Sequence, residues 1–146
     1  MEEEHMNKSL GIYLAPLLLI LCFFSGCNLF LPYEIPLPYG YSLVESRPGA
    51  QLRRGGILVV KGKIIHFRLK SPWLVGDVIT NNNGQKRSYF IINLQTGDIN
   101  YYCYTEPNER YDLEKHLEAI NISLADEFYT LYDFKSGRLS LKLLSD

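Results

Sequence analysis

The stretch Tyr89-Phe90-Ile91-Ile92-Asn93-Leu94-Gln95-Thr96-Gly97-Asp98-Ile99-Asn100-Tyr101-Tyr102 decides the fold class. Two runs of aromatic and β-branched residues flank a turn in which Asn93 can cap the backbone and Gly97 can take a left-handed conformation. That pattern is a β-hairpin. Working outward, Ile57-Leu58-Val59-Val60 and Ile64-Ile65-His66-Phe67 flank Lys61-Gly62-Lys63, which predicts another hairpin. Tyr129-Thr130-Leu131-Tyr132 and Leu139-Ser140-Leu141-Lys142 predict a third, around Asp133 to Arg138. Trp73 to Thr80 reads as a further strand, ended by Asn81-Asn82-Asn83-Gly84.

The turns at Asn93 and Asp133 align: Asn93 with Asp133, Thr96 with Ser136, Gly97 with Gly137, Ile99 with Leu139. The shared pattern is similar to the hairpin of quinoprotein-type propeller repeats. A propeller needs about four blades of four strands, which a chain of 146 residues cannot supply after its leader is removed. It is one turn chemistry used twice. A single helix interrupts the strands. Asn108 is placed to cap Glu109 to Ile120, where Leu113, Leu117 and Ile120 recur at helical spacing, and Asn121 can end it in a left-handed conformation. Ser123 to Glu127 can add one turn. The expected class is α+β, a small antiparallel β-sheet of hairpins with one covering helix. A small β-barrel or sandwich is the alternative.

The chain has 146 residues, a formal net charge of −1, 47% apolar residues and three cysteines. Those values fit one globular domain and exclude a disordered chain, a disulfide scaffold and a wholly basic nucleic-acid binder. Charge is nevertheless uneven. Arg47 to Arg87 carries nine Lys or Arg against Asp77 alone, whereas Ser88 to Asp146 carries ten acids against five bases. Either the basic half forms a face for anionic lipid or glycan, or the halves pair within one sheet and neutralise each other.

Ile12 to Phe24, IYLAPLLLILCFF, is 13 residues without a charge. A helix spanning a bilayer needs roughly 20 apolar residues, a signal-peptide core about 7–15. The following Phe24-Ser25-Gly26-Cys27 resembles the lipobox of bacterial lipoproteins, with Phe where the family usually has Leu. The resemblance implies cleavage before Cys27, a diacylglycerol on its sulfur and an acylated amine. Residues 1–26 are then a lipoprotein signal peptide, 27–40 a Pro-rich tether through Pro32, Pro36 and Pro38, and 41–146 a single β-rich domain. The tether residues can instead fold back as an edge strand. Glu2, Glu3 and Glu4 make the leader's start acidic, so translation from Met6 is expected. An uncleaved transmembrane anchor from Ile12 to about Leu31 is the competing reading.

Cleavage removes Cys22 and acylation uses Cys27, leaving Cys103 without a partner; an unacylated Cys27 could pair with it. His66 and His116 are the histidines left in the mature chain, and no local spacing such as His-x₃-His or Cys-x₂-Cys suggests a metal. His66 is expected on a solvent face beside Arg68, and Cys103 on a sheet face opposite its tyrosine neighbours. Glu106, Glu109, Asp112, Glu114 and Glu118 read as the solvated side of the helix. The expectation is therefore no catalytic residue, no metal and no cofactor. Tyr101, Tyr102 and Tyr104, with Arg53 and Arg54, are the candidate binding residues, because tyrosine combines contact area with a polar tip.

The expected function is a lipid-anchored extracytoplasmic binding domain of the bacterial cell envelope, attached to the membrane through Cys27. Its partner would be an envelope protein or glycan, not nucleic acid. Asn28 after Cys27, where the family's retention signal has Asp, implies the outer membrane, periplasmic side, in a Gram-negative source. The alternatives are an envelope-acting hydrolase using His66 or His116, and an immunity or inhibitor lipoprotein.

Overall fold

The computed structural model describes residues 32–80 and 87–138. In chain order these form β1 (Glu34–Pro36), a single 3₁₀ turn (Pro38–Gly40), β2 (Tyr41–Glu45), β3 (Ala50–Arg54), β4 (Ile57–Leu58), β5 (Lys63–Lys70), β6 (Trp73–Ile79), β7 (Arg87–Asn93), β8 (Ile99–Tyr102), α1 (Pro107–Ala119) and α2 (Leu131–Lys135). All pairings are antiparallel, in the order β1-β2-β3-β5-β6-β7-β8, with β4 beside β3. The expected α+β class is what is observed: an open antiparallel sheet with one main helix.

The sheet curls so that its distant strands meet. The Lys61 backbone N–H donates to the Tyr101 hydroxyl on β8 at 3.1 Å. A Cβ on Gly97, in the β7–β8 turn, would lie 3.5 Å from the Tyr41 hydroxyl on β2. Inside the curl, Leu43, Leu52, Ile64, Phe67, Leu74, Phe90, Ile92 and Leu94 form the main core, with Leu131 and Phe134 of α2 packed into it. Phe67 and Phe134 stack at 5.6 Å. On the other face, Leu113 and Leu117 of α1 pack on Val75 and Ile91 with Ile122. Strand β6 is covered on both faces, so it reads as the nearly continuous apolar run Trp73-Leu-Val-Gly-Asp-Val-Ile79. Gly76 is required there. A Cβ would come within 2.6 Å of the His66 carbonyl oxygen and 2.8 Å of the Phe90 ring.

The β7–β8 hairpin is as predicted, as is the strand from Trp73, here ending at Ile79. Helix α1 starts at Pro107, with Glu106 at the N-cap position in place of Asn108. Proline suits the first helical turn because the N–H it lacks would have no helical partner. Asn121 is left-handed at φ 58°, as expected. The Ile122 N–H reaches the Leu117 carbonyl at 2.9 Å and the Asn121 N–H reaches Glu118 at 3.0 Å, the two bonds of a Schellman ending. Leu113 and Leu117 are buried and Ile120 is half-buried. Ser123 to Asp126 closes one turn and not a further helix.

Three expectations are corrected. Residues 57–60 do not pair with 64–67. Ile57 pairs with Arg54 and Leu58 with Arg53, while β5 pairs with β6. The reason is Gly55-Gly56, both at positive φ (56° and 82°), which suits a two-residue hairpin loop better than Lys61-Gly62-Lys63. Residues 129–132 are not a strand. Tyr129 makes a single bridge to Phe67, and Leu131–Lys135 is α2, started by a capping box between Thr130 and Asp133. The second arm of that expected hairpin, residues 139–142, lies outside the described residues. Finally, residues 33–40 are not a free tether. Tyr33 bonds to the Glu45 N–H at 2.7 Å, β1 pairs with β2, and Ile35 and Leu37 are buried, so the fold begins at Tyr33, the edge-strand alternative. An edge strand tolerates Pro36, whose missing N–H would face the open side. The leader, the lipobox-like tetrapeptide and Asn81-Asn82-Asn83-Gly84 lie outside the described residues. Among the described residues no helix is long and apolar enough to cross a membrane.

Candidate functional site

The expected binding residues fall into two groups, because successive residues of a strand point to opposite faces. Tyr102 turns toward α1, where its hydroxyl is hydrogen-bonded to His116 Nδ1 at 2.7 Å. Burial pushes its phenol above the ordinary tyrosine value, and the nearby Asp112 carboxylate pushes the same way. His116 also meets Trp73 edge-on at 5.9 Å. Tyr102 and His116 therefore hold the helix to the sheet. Tyr104 lies on the same side, 5.6 Å from Tyr89 and under the Arg110 guanidinium at 4.6 Å. Cys103 is half-buried and free, its Sγ 3.1 Å from the Thr105 hydroxyl.

Tyr101 points the other way, its hydroxyl accepting from Lys61 after β4, while Arg53 and Arg54 lie at the β3–β4 hairpin. Arg53 reaches Gln51 at 2.9 Å, and Arg54 lies over the Tyr41 ring at 4.9 Å. Ile57 and Leu58 lie directly opposite these arginines across the hairpin loop, 73% and 47% exposed. Among the described residues no ion pair joins Arg53, Arg54 or Lys61 to a carboxylate. Elsewhere the basic half meets the acidic one at a single ion pair among the described residues, Arg68 with Asp126 at 3.7 Å. The basic half therefore offers a local cationic tip at the β3–β4 hairpin.

A third group gives His66 partners that the sequence did not name, Asp77 and Arg87. His66 is half-exposed as expected, yet it faces a buried carboxylate in addition to solvent. A bulge in β5 between Ile64 and His66 shifts the register, so that His66 stands opposite Asp77. The Asp77 carboxylate, 2% exposed as a residue, accepts the His66 backbone N–H at 2.8 Å and faces His66 Nδ1 at 3.0 Å. Its other oxygen accepts Arg87 Nε at 2.6 Å and a second guanidinium N–H. A buried carboxylate needs such pairing, which here comes from partners that are themselves partly exposed to solvent. The cluster thus ties β5, β6 and β7 together. The available signal was Asp77 itself, a charge inside an apolar run.

Beside the cluster is a pocket of about 240 Å³, lined by His66, Asp77, Arg87, Tyr89, Leu124, Asp126 and Phe128. Burial raises the Tyr89 phenol above its ordinary value, and the Asp77 charge adds to the shift. An imidazole oriented by a carboxylate can act as a general base. Among the described residues that line it there is no serine, threonine or cysteine to serve as a nucleophile. Among the described residues no group of three His, Cys, Asp or Glu converges as a metal site.

Comparison with known proteins gives no match: no family model, no curated protein and no solved structure is significantly similar to this chain.

Proposed function

We propose that this protein is a lipid-anchored, non-catalytic binding domain of the bacterial cell envelope, held through Cys27 and facing the periplasm from the outer membrane. The observation that carries the binding role is the β3–β4 tip, where exposed Ile57 and Leu58 stand beside arginines that have no carboxylate partner among the described residues. Exposed apolar side chains rimmed by polar and cationic groups suit a recognition surface. The lipobox-like Phe24-Ser25-Gly26-Cys27 supports the anchor. Acylation of both the sulfur and the amine would hold the protein firmly, since single chains bind only marginally.

The test is the intact mass of the protein from the membrane fraction, with Cys27→Ala as control. A chain beginning at Cys27 and carrying acyl groups is the expected result. A full-length unacylated chain would favour the transmembrane reading.

A hydrolase built on His66 is the second reading, favoured by its 3.0 Å contact with Asp77. In that case His66→Ala abolishes turnover of an envelope substrate under conditions where its melting temperature shows that the fold is retained. Loss of stability without any measurable turnover in the parent protein would mark the cluster as structural.

A further inference from the structure

The lipid-anchor reading has a geometric consequence for the β3–β4 tip. Cys27 is six residues from Tyr33, the first of the described residues bonded into the sheet. Even fully extended, that link spans at most ~22 Å. A domain lipidated at Cys27 is therefore kept close to the bilayer. The tip lies at the other end of the strands from Tyr33 but within the reach of that link. Tyr33 bonds at the Glu45 end of β2, Tyr41 at the other end pairs with Arg54, and β3 is two strands from β1. Strand rise and spacing put the tip on the order of 16 Å from Tyr33, so link and tip can meet one membrane plane together.

We infer that the β3–β4 tip docks on an anionic phospholipid surface, with Ile57 and Leu58 in the interfacial layer and Arg53, Arg54 and Lys61 at the headgroup phosphates. This rests on the lipid-anchor reading and names the partner of the surface proposed there. Charge complementarity favours it, because these three cations have no carboxylate partner among the described residues and each basic group near an anionic leaflet adds attraction. Size favours lipid over a protein partner. Two apolar side chains on opposite faces of β4, just after the Gly55-Gly56 turn, make a small insertion point, whereas a stable protein interface buries about 800 Å² on each side. The loop carries no apolar residue besides these two, because its turn is Gly55-Gly56. Docking would fix the domain's orientation and leave the α1 face free.

The test is hydrogen–deuterium exchange on the full membrane-extracted chain, reconstituted in phosphatidylcholine vesicles and in vesicles that also contain phosphatidylglycerol. Exchange across residues 53–61 is expected to slow by about fivefold on the anionic vesicles. Ile57→Asp, and separately Arg53→Glu with Arg54→Glu, restore the faster exchange while β6 and β7 stay protected, which shows that the fold is retained. Equal exchange on both vesicles overturns the inference. So does slowing that requires added envelope protein, which would assign the tip to a protein partner. The intact mass of the same sample reads the anchor separately: an acylated chain with an unprotected tip overturns docking alone, whereas a protected tip on an unacylated chain supports docking and removes the anchor.

Discussion

Two segments share the pattern (Asn/Asp)-x-x-(Thr/Ser)-Gly-x-(Ile/Leu), yet Asn93 to Ile99 joins two strands and the segment from Asp133 contributes to a helix. Their glycines still behave alike. Gly97 and Gly137 are both left-handed, at φ 86° and 72°. The Gly97 N–H closes on the Asn93 carbonyl at 2.7 Å, whereas the Gly137 N–H reaches Phe134 at 3.0 Å and it is the next residue, Arg138, that closes on Asp133 at 3.1 Å. What the pattern encodes is one tight turn of chain ended by a left-handed glycine, and that unit serves a hairpin loop or a helix ending equally well. The flanks decide. Before Asn93 stand Phe90, Ile91 and Ile92, which favour a strand. Before Asp133 stands Thr130, whose backbone N–H and hydroxyl both donate to the Asp133 carboxylate at 2.7 Å, starting a helix.

The comparison is tested most severely by the side chain that ties α2 to the sheet. Phe134→Ala removes the stack on Phe67 and opens the main core. It should lower stability by about 3–5 kcal/mol in chemical denaturation. A loss below about 1 kcal/mol would mean that α2 is loosely held and that context contributes little to its helical form. Next are the two glycines. Gly97→Ala and Gly137→Ala each force a side chain into the left-handed region, at about 1–2 kcal/mol apiece. Nothing lies within 4 Å of a Cβ on Gly137, and on Gly97 the nearest atom is 3.5 Å away, so strain dominates over clash at both. Similar losses would support one shared turn unit; a loss at only one site would break the equivalence. A smaller effect is expected of Thr130→Ala, which removes a cap at about 1 kcal/mol. Its backbone exchange should rise over residues 131–136 and stay unchanged over 93–98.

What could be read from sequence follows the same division between local and distant causes. The β7–β8 hairpin was legible because turn residues and strand residues agree. The α1 helix was legible because Leu113 and Leu117 repeat on one face and Asn121 marks its end. The neighbour of β4 was misread although the signal, Gly55-Gly56, was present. The side-by-side placement of β3 and β5 rests on Ala50 opposite Ile64, which no local pattern announces. For the candidate site, adjacency in sequence made Tyr101 and Tyr102 look like one patch, while strand alternation sends them to opposite faces. His66 meets Asp77 only through the β5–β6 register and its bulge. Arg53 and Arg54 were singled out for their charge, whereas the exposed Ile57 and Leu58 beside them were assigned to a different hairpin.

Acid gives the finest separation of the two segments, because their aligned first residues differ in chemistry and in the groups they bind. Asn93 caps the Gln95 and Thr96 N–H groups through an amide oxygen that does not titrate. Asp133 instead binds backwards with a carboxylate, accepting from Thr130, and it is held below its ordinary value first by the Thr130 hydroxyl and then by the Thr130 N–H. Glu45, which receives Lys135 of α2, is lowered in the same way, chiefly by that lysine. A carboxyl whose folded value is depressed stabilises the fold fully above its unfolded value and loses that contribution as pH falls through the folded one. Between neutral pH and about 4 both segments should keep their protection, and below that range residues 130–136 should lose it before residues 93–98. Asp133→Asn should weaken α2 at neutral pH and flatten its acid response, with the remaining slope due to Glu45. Equal acid sensitivity of the two segments would show that the carboxylate contributes nothing the amide does not, and that the helix is held by Phe134 and Leu131 alone.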